Sequence, residues 1–168
     1  WELANISSIV NEGFGLYNSS WNTTFHTGGN WSFRINATKS NYYSNSTLFT
    51  NWTYLNNTPS TAENSSVSPS SDGWGSNFSY RIDIDDAQYD NVTCKLFTYT
   101  SSSWIYRGNY TIAWGKGTCI INVTNFTCSD INTTTNWFKW EIYDGTNIFN
   151  TTNVSAPIIT KDNMIASY

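Results

Sequence analysis

The sequence predicts an all-β protein: a β-sandwich with a smaller, β-rich N-terminal region. Three observations carry that prediction. Apolar and polar residues alternate with a period of two over several short runs, which puts apolar side chains on one face of each strand. Clusters of Asp, Asn, Gly, Ser and Thr separate the runs and read as turns. No apolar run is long enough for a transmembrane helix, and 168 residues suffice for one sizeable core or two small ones.

In chain order, the first 60 residues form the smaller region. Leu3, Ile6, Ile9 and Val10 fit either one helical face or an irregular strand, and Gly13 and Gly15 interrupt both. From Trp31 the alternation is plain, with Trp31, Phe33 and Ile35 inward against Asn30, Ser32, Arg34 and Asn36, and a further strand covers Leu48 to Tyr54. Residues 57–75 hold two Pro, two Gly and a block of Ser and Thr, the marks of a linker or an irregular first strand. The domain boundary is placed there, giving regions 1–60 and 61–168.

The second region carries the clearest strands. Phe78, Tyr80, Ile82 and Ile84 alternate with Asn77, Ser79, Arg81 and Asp83. Val92, Cys94 and Leu96 repeat the pattern, as do Cys119, Ile121 and Val123, and again Phe138, Trp140 and Ile142. After Pro157 the tail holds Ile158, Ile159, Met164 and Ile165 with no partner in view. Left free these would be exposed, so the tail is expected to add to a sheet.

Asparagine usage gives a second signal. Of the 23 Asn residues, 17 head an Asn-x-Ser/Thr acceptor triplet. The Ser plus Thr content, 45 of 168, predicts about 6 by chance. The acceptors are Asn5, Asn18, Asn22, Asn30, Asn36, Asn45, Asn51, Asn56, Asn64, Asn77, Asn91, Asn109, Asn122, Asn125, Asn132, Asn150 and Asn153. In Asn77-Phe-Ser, Asn91-Val-Thr, Asn109-Tyr-Thr and Asn122-Val-Thr the central residue is apolar. On a strand such a triplet aims Asn and the hydroxyl residue at solvent while the centre packs inward. The excess implies a secreted, extracellular chain with many covalent N-linked glycans. A net charge of -4 gives no electrostatic support for a nucleic-acid partner.

Three Cys imply one disulfide and a spare thiol, or a bond between chains. No Cys-x-x-Cys occurs and His26 is the single imidazole, which argues against thiolate metal chemistry and against Ser-His-Asp or Cys-His catalysis; no enzymatic activity is expected. The acidic cluster Asp83, Asp85, Asp86 and Asp90 is the one candidate cofactor site, for Ca²⁺ held by hard oxygen ligands. The same residues suit turns. Nine Trp and eleven Tyr raise sugar stacking as a role for exposed rings, and Trp104, Trp114 and Trp137 do not fit inward positions.

The segments PSSDGWGSNFSYRIDIDDAQYDNVTCKLF, FTCSD and FKWEIYDGTN resemble the immunoglobulin-like repeats of archaeal cell-surface and extracellular filament proteins, over about residues 67 to 155. The resemblance implies an immunoglobulin-like β-sandwich for 61–168. In that strand order the turns bearing Asp85, Asp86 and Asp90 lie at the same end as Asp144, which would complete the Ca²⁺ set. Cys94 and Cys119 would begin strands at one end of opposite sheets, so that pair is expected in preference to Cys119–Cys128. The function implied is a structural, heavily N-glycosylated subunit of a filament, appendage or surface layer. Its partners would be copies of itself, joined by a strand from Trp1–Val10 or from Ala156–Tyr168. The alternative is a carbohydrate-binding or adhesin module.

Overall fold

Alternation in the N-terminal region folds as paired strands, with no second layer among the described residues. The computed structural model describes residues 9–14, 16–23, 26–100, 102–130 and 136–161. The chain divides into two units, Trp1–Asn56 and Asn57–Tyr168. In the first, β1 (Val10–Gly13) pairs with β2 (Leu16–Asn18), and β3 (Gly29–Ala37) pairs antiparallel with β4 (Asn45–Leu55). Trp21 sets its ring 5.0 Å from His26, 5.3 Å from Trp31 and 5.0 Å from Phe33, a patch of packing along one side of β3. None of the described residues of this unit is buried. A two-stranded ribbon exposes at least one full face. The pairing also shifts register between Trp31 and Phe33, and Ile35, expected inward, is exposed.

The second unit supplies the core. Its strands are β5 (Thr61–Ser68), β6 (Ser71–Gly73), β7 (Phe78–Asp85), β8 (Val92–Thr100), β9 (Ser103–Ile112), β10 (Lys116–Val123), β11 (Trp137–Tyr143), β12 (Ile148–Asn150), β13 (Val154–Ser155) and β14 (Ile158–Thr160). One sheet has the order β10-β7-β5 and the other β12-β11-β8-β9, with β13 also on β11. These are the two layers of a β-sandwich, and each gives the shared interior the alternate side chains of its strands. Tyr80 and Ile82 come from β7, Ile121 from β10, Leu96 from β8, and Phe138 and Trp140 from β11, all buried. The Tyr80 and Phe138 rings meet edge to face at 5.1 Å. Trp140 Nε1 donates to Ser65 Oγ at 3.1 Å, so the one polar atom of the largest core side chain is satisfied. Cys94 on β8 is bonded to Cys119 on β10, tying one sheet to the other.

One expectation is corrected here and another is met. Residues 57–75 are not a linker: they hold the first strand of this unit, β5, irregular at one bulge, and it is a packed edge strand whose Ala62 and Val67 lie on the core while Thr61, Glu63 and Ser66 face solvent. Its polar composition hid a strand with only one buried face. The register shift between Glu63 and Ser66 spans Asn64, which sits at φ 52°, a left-handed value Asn tolerates. The tail adds to a sheet as expected, and the partner strand is in its own chain. β14 runs parallel to β6, and Pro157 and Ile159 are buried in the chain's own core. Residues 1–8 and 162–168 lie outside the described residues, and with them Leu3, Ile6, Met164 and Ile165. Among the described residues no helix is long and apolar enough to cross a membrane.

Candidate functional site

Fifteen of the 17 acceptor asparagines fall among the described residues, and all fifteen are exposed. Asn5 and Asn132 lie outside them. The three described asparagines that are half-buried or buried, Asn57, Asn136 and Asn147, head no acceptor triplet. Asn136 and Asn147 instead use their Nδ2 atoms internally, donating to Pro157 O and to Asp144 Oδ2, each at 3.2 Å. Strand parity accounts for the separation where the triplet centre is buried, as with Phe78, Val92 and Val123. Tyr110 departs from this pattern: expected inward, it is 47 % exposed, on β9, which is the edge strand of its sheet.

The outer face of the five-stranded sheet carries an aromatic ladder. Cross-strand pairing sets Trp104, Tyr99 and Trp137 in one row, and Tyr106, Phe97 and Lys139 in the next. Below them Asn109, Lys95, Glu141 and Asn150 form a third row. Tyr99 and Trp104 rings lie 5.3 Å apart, Phe97 and Tyr106 rings 5.6 Å, and Lys139 Nζ stands 4.7 Å over Trp104. Trp104 and Trp137 are each 38 % exposed and Tyr106 is 50 % exposed. Trp114, the third tryptophan expected to point outward, is exposed on the β9–β10 turn, away from these rows. Phe97 and Tyr99 were legible in principle: they are out of phase with Val92, Cys94 and Leu96, so aromatic residues there must face outward.

Beneath this ladder a charged pair is buried. The register shift between Leu96 and Phe97 leaves Arg107 as the extra residue of a bulge beside Gly108, which has φ 145°. The bulge aims Arg107 inward, where its Nε donates to Thr98 Oγ1 at 2.8 Å and Nη2 donates to Asp130 Oδ1 at 3.0 Å. The two charged side chains are 4 % and 6 % exposed. Thr100 Oγ1 donates to Asp130 Oδ1 at 2.5 Å, and the Thr127 N–H and hydroxyl donate to Oδ2 at 2.9 and 3.0 Å. Burial works against the Asp130 charge, but these donors and Arg107 outweigh it and hold the carboxyl below its ordinary range. The guanidinium also lies 4.4 Å from the Phe126 ring. Burial pushes the neighbouring Tyr80 phenol well above its usual value. The network clamps residues 125–130 to the sheet, and nothing in the alternation of the sequence pointed to it.

The candidate Ca²⁺ residues part company. Asp85 is exposed and pairs with Lys116 Nζ at 2.6 Å. Asp86 is buried, and its Oδ1 accepts the N–H groups of Gln88 and Asp90 at 2.9 and 3.2 Å. Asp144 Oδ1 accepts the N–H groups of Thr146 and Asn147 at 2.9 and 2.6 Å, and its Oδ2 accepts that of Ser60 at 3.4 Å. Those hydrogen bonds outweigh the burial of Asp144 and hold it below its ordinary range. Asp90 is raised, by burial first and then by the negative charges of Asp86 and Asp144, so these three do gather at one end of the sandwich. Asp83 stands apart on β7, accepting from Asn64 Nδ2 and Thr118 Oγ1. Among the described residues no group of three or more His, Cys, Asp or Glu is placed to hold a metal ion. Asp86 and Asp144 tie down turns, which is what their hydrogen bonds do chemically.

Cys128 is a free, exposed thiol. Comparison with known proteins finds no family that matches the chain and no curated protein similar to it.

Proposed function

We propose that this chain is a structural glycoprotein, a non-catalytic subunit of an extracellular filament, appendage or surface layer that assembles with copies of itself. The observation that carries the reading is the sorting of asparagines: all fifteen described acceptors are exposed, and the half-buried and buried asparagines head no acceptor triplet. A dense glycan coat then supplies the solubility that few charges would not. Assembly is supported by the N-terminal unit, where none of the described residues is buried and β3 and β4 form a sheet of only two strands among the described residues. A strand added there gains main-chain hydrogen bonds and covers Ile35, Leu48, Trp52 or Tyr54. Because Ile159 is committed to its own core, the segment Trp1–Val10 is the better donor. Glycopeptide mapping of secreted protein tests the coat, and bare asparagines at most sites would end this reading. Deleting residues 1–10 tests assembly; polymers indistinguishable from those of the full chain would exclude exchange of that segment.

A second reading rests on the aromatic ladder. The row Trp104, Tyr99, Trp137 offers ring faces of the kind on which sugars stack, so a carbohydrate-binding or adhesin role is the alternative. Binding of the aglycosylated chain to a glycan array, lost on Trp104→Ala, would favour it.

A further inference from the structure

Asn109 shares a row of the outer face with the acceptor Asn150 and is set apart by the ladder ring that holds it. It sits on the outer face of the five-stranded sheet opposite Lys95, in the row next to Phe97 and Tyr106. The Tyr106 hydroxyl donates to Asn109 Oδ1 at 2.8 Å. That bond holds the amide through its oxygen and not through Nδ2, the atom that would carry a sugar. The bulge at Arg107 makes the contact possible, because it brings Tyr106, three residues before Asn109, onto the same face of the strand. Along β8, the rows of Lys95, Phe97 and Tyr99 follow one another at about 7 Å intervals. A first sugar on Asn109 therefore reaches Tyr106 and Phe97, and a short oligosaccharide reaches Tyr99 and Trp104.

We propose that the N-glycan on Asn109 folds back along this face and packs on the strip Tyr106, Phe97, Tyr99 and Trp104. It is thus a structural part of the sandwich, whereas the other glycans serve as a solvated coat. This rests on the glycoprotein reading above and adds which glycan is structural and what receives it. In the attachment, Asn109 Nδ2 displaces the leaving group from the anomeric carbon of an activated glycosyl phosphate donor. One C–N bond forms, one C–O bond breaks, the amide nitrogen loses one proton, and the phosphate leaves with the bonding pair. Stacking has a simple cause. One face of a pyranose presents C–H groups whose hydrogens are slightly positive, and these meet the negative face of an aromatic ring. Lys139 Nζ, already over Trp104, borders the strip and donates to sugar hydroxyls that reach it. Covering the strip also removes from water a row of large rings that are otherwise partly exposed.

The test uses the full chain secreted from an N-glycosylating host, with occupancy read by glycopeptide mapping and stability by thermal melting. Asn109→Gln is expected to lower the Tm of the glycosylated protein by about 4 °C. It should leave Tm nearly unchanged in protein whose glycans have been trimmed enzymatically after folding. The loss should vanish when Tyr106→Thr and Phe97→Thr are already present, since the glycan then has no rings to pack on. Thr124→Ala, which abolishes the Asn122 acceptor opposite Ser79 on the other sheet, is the control and should not move Tm. An occupied Asn109 whose loss leaves Tm unchanged would overturn the packing proposal while leaving the glycoprotein reading intact. So would an Asn109 found bare beside occupied neighbours. Asparagines bare at most sites would remove both.

Discussion

Removing the Arg107 guanidinium should cost the sandwich far more than any surface charge would. In Arg107→Met the methionine keeps the packing against Phe126 but leaves the Asp130 carboxylate buried without its cation. Breaking a buried pair by removing one partner costs about 3–5 kcal/mol. The lower end applies here, because Thr100 and Thr127 still donate to both carboxylate oxygens. For a unit the size of Asn57–Tyr168, 3 kcal/mol corresponds to a fall in Tm of about 12 °C. Adding Asp130→Asn removes the stranded charge while keeping the shape and one of the two acceptor oxygens, so the double variant should recover part of the loss. The sign of the pH dependence follows from the Asp130 carboxyl being held low in the folded wild type. Its contribution is complete above the unfolded value near 4 and disappears as the pH falls through the folded value. The gap between wild type and Arg107→Met should therefore close below about pH 4. Thermal melts followed by near-ultraviolet circular dichroism measure all of this. A single variant within 3 °C of wild type, or a double variant no better than the single, would refute the reasoning.

Three further outcomes are expected. Replacing Cys94 and Cys119 by Ala opens a loop of sequence separation 25, which by chain entropy removes about 3.5 kcal/mol; Cys128→Ser should be neutral in the same denaturation series. Gly115→Ala should destabilise by roughly 1–3 kcal/mol, since Gly115 has φ 59° and an added Cβ would meet Asp86 Cβ at 2.7 Å and Asp90 O at 2.9 Å; an unchanged denaturation midpoint would contradict the close approach. Asp144→Asn should abolish part of the acid transition, because Asp144 is also held below its ordinary range and its stabilisation is lost only as the pH falls below about 4; acid titrations of both proteins show whether the wild-type curve alone steepens there.

What the sequence revealed tracks how local the physics was. The strands of Phe78, Val92, Cys119 and Phe138 were readable because a strand buried on one face writes a period of two into adjacent residues. The pairing of Cys94 with Cys119, expected from the resemblance, is the bond formed. β9 was harder to read, since the bulge at Arg107 breaks the alternation in its middle and its edge position leaves Tyr110 in solvent. β5 was obscured by its polar composition, and for β14 the apolar residues showed that a sheet was needed but not which strand would receive it; both owe their structure to partners distant in sequence. The aromatic ladder was half visible. Outward parity could be assigned to Phe97 and Tyr99, but their alignment with Trp104, Tyr106 and Trp137 depends on register across three strands, which no single segment encodes.

The parallel pairing of β6 with β14 bears on how this unit carries mechanical load. Tension drawn from the residue 57 side is taken first by β5 on β7 and, once β5 is stripped, pulls β6 toward its N-terminal end, while tension drawn from the residue 161 side pulls β14 toward its C-terminal end. Because the two strands run in the same direction, these pulls oppose each other along the strand axis and load the pair in shear. The bonds from Ile158 N to Ser70 O and from Trp74 N to Thr160 O, which bracket the pair, then share the force together and do not open one at a time. Should shear succeed, Ile159 leaves the core, but the disulfide still bars the residues between Cys94 and Cys119 from paying out. A chain of such units stretched end to end would yield in limited steps, each shorter by that loop, and would keep its sheets joined.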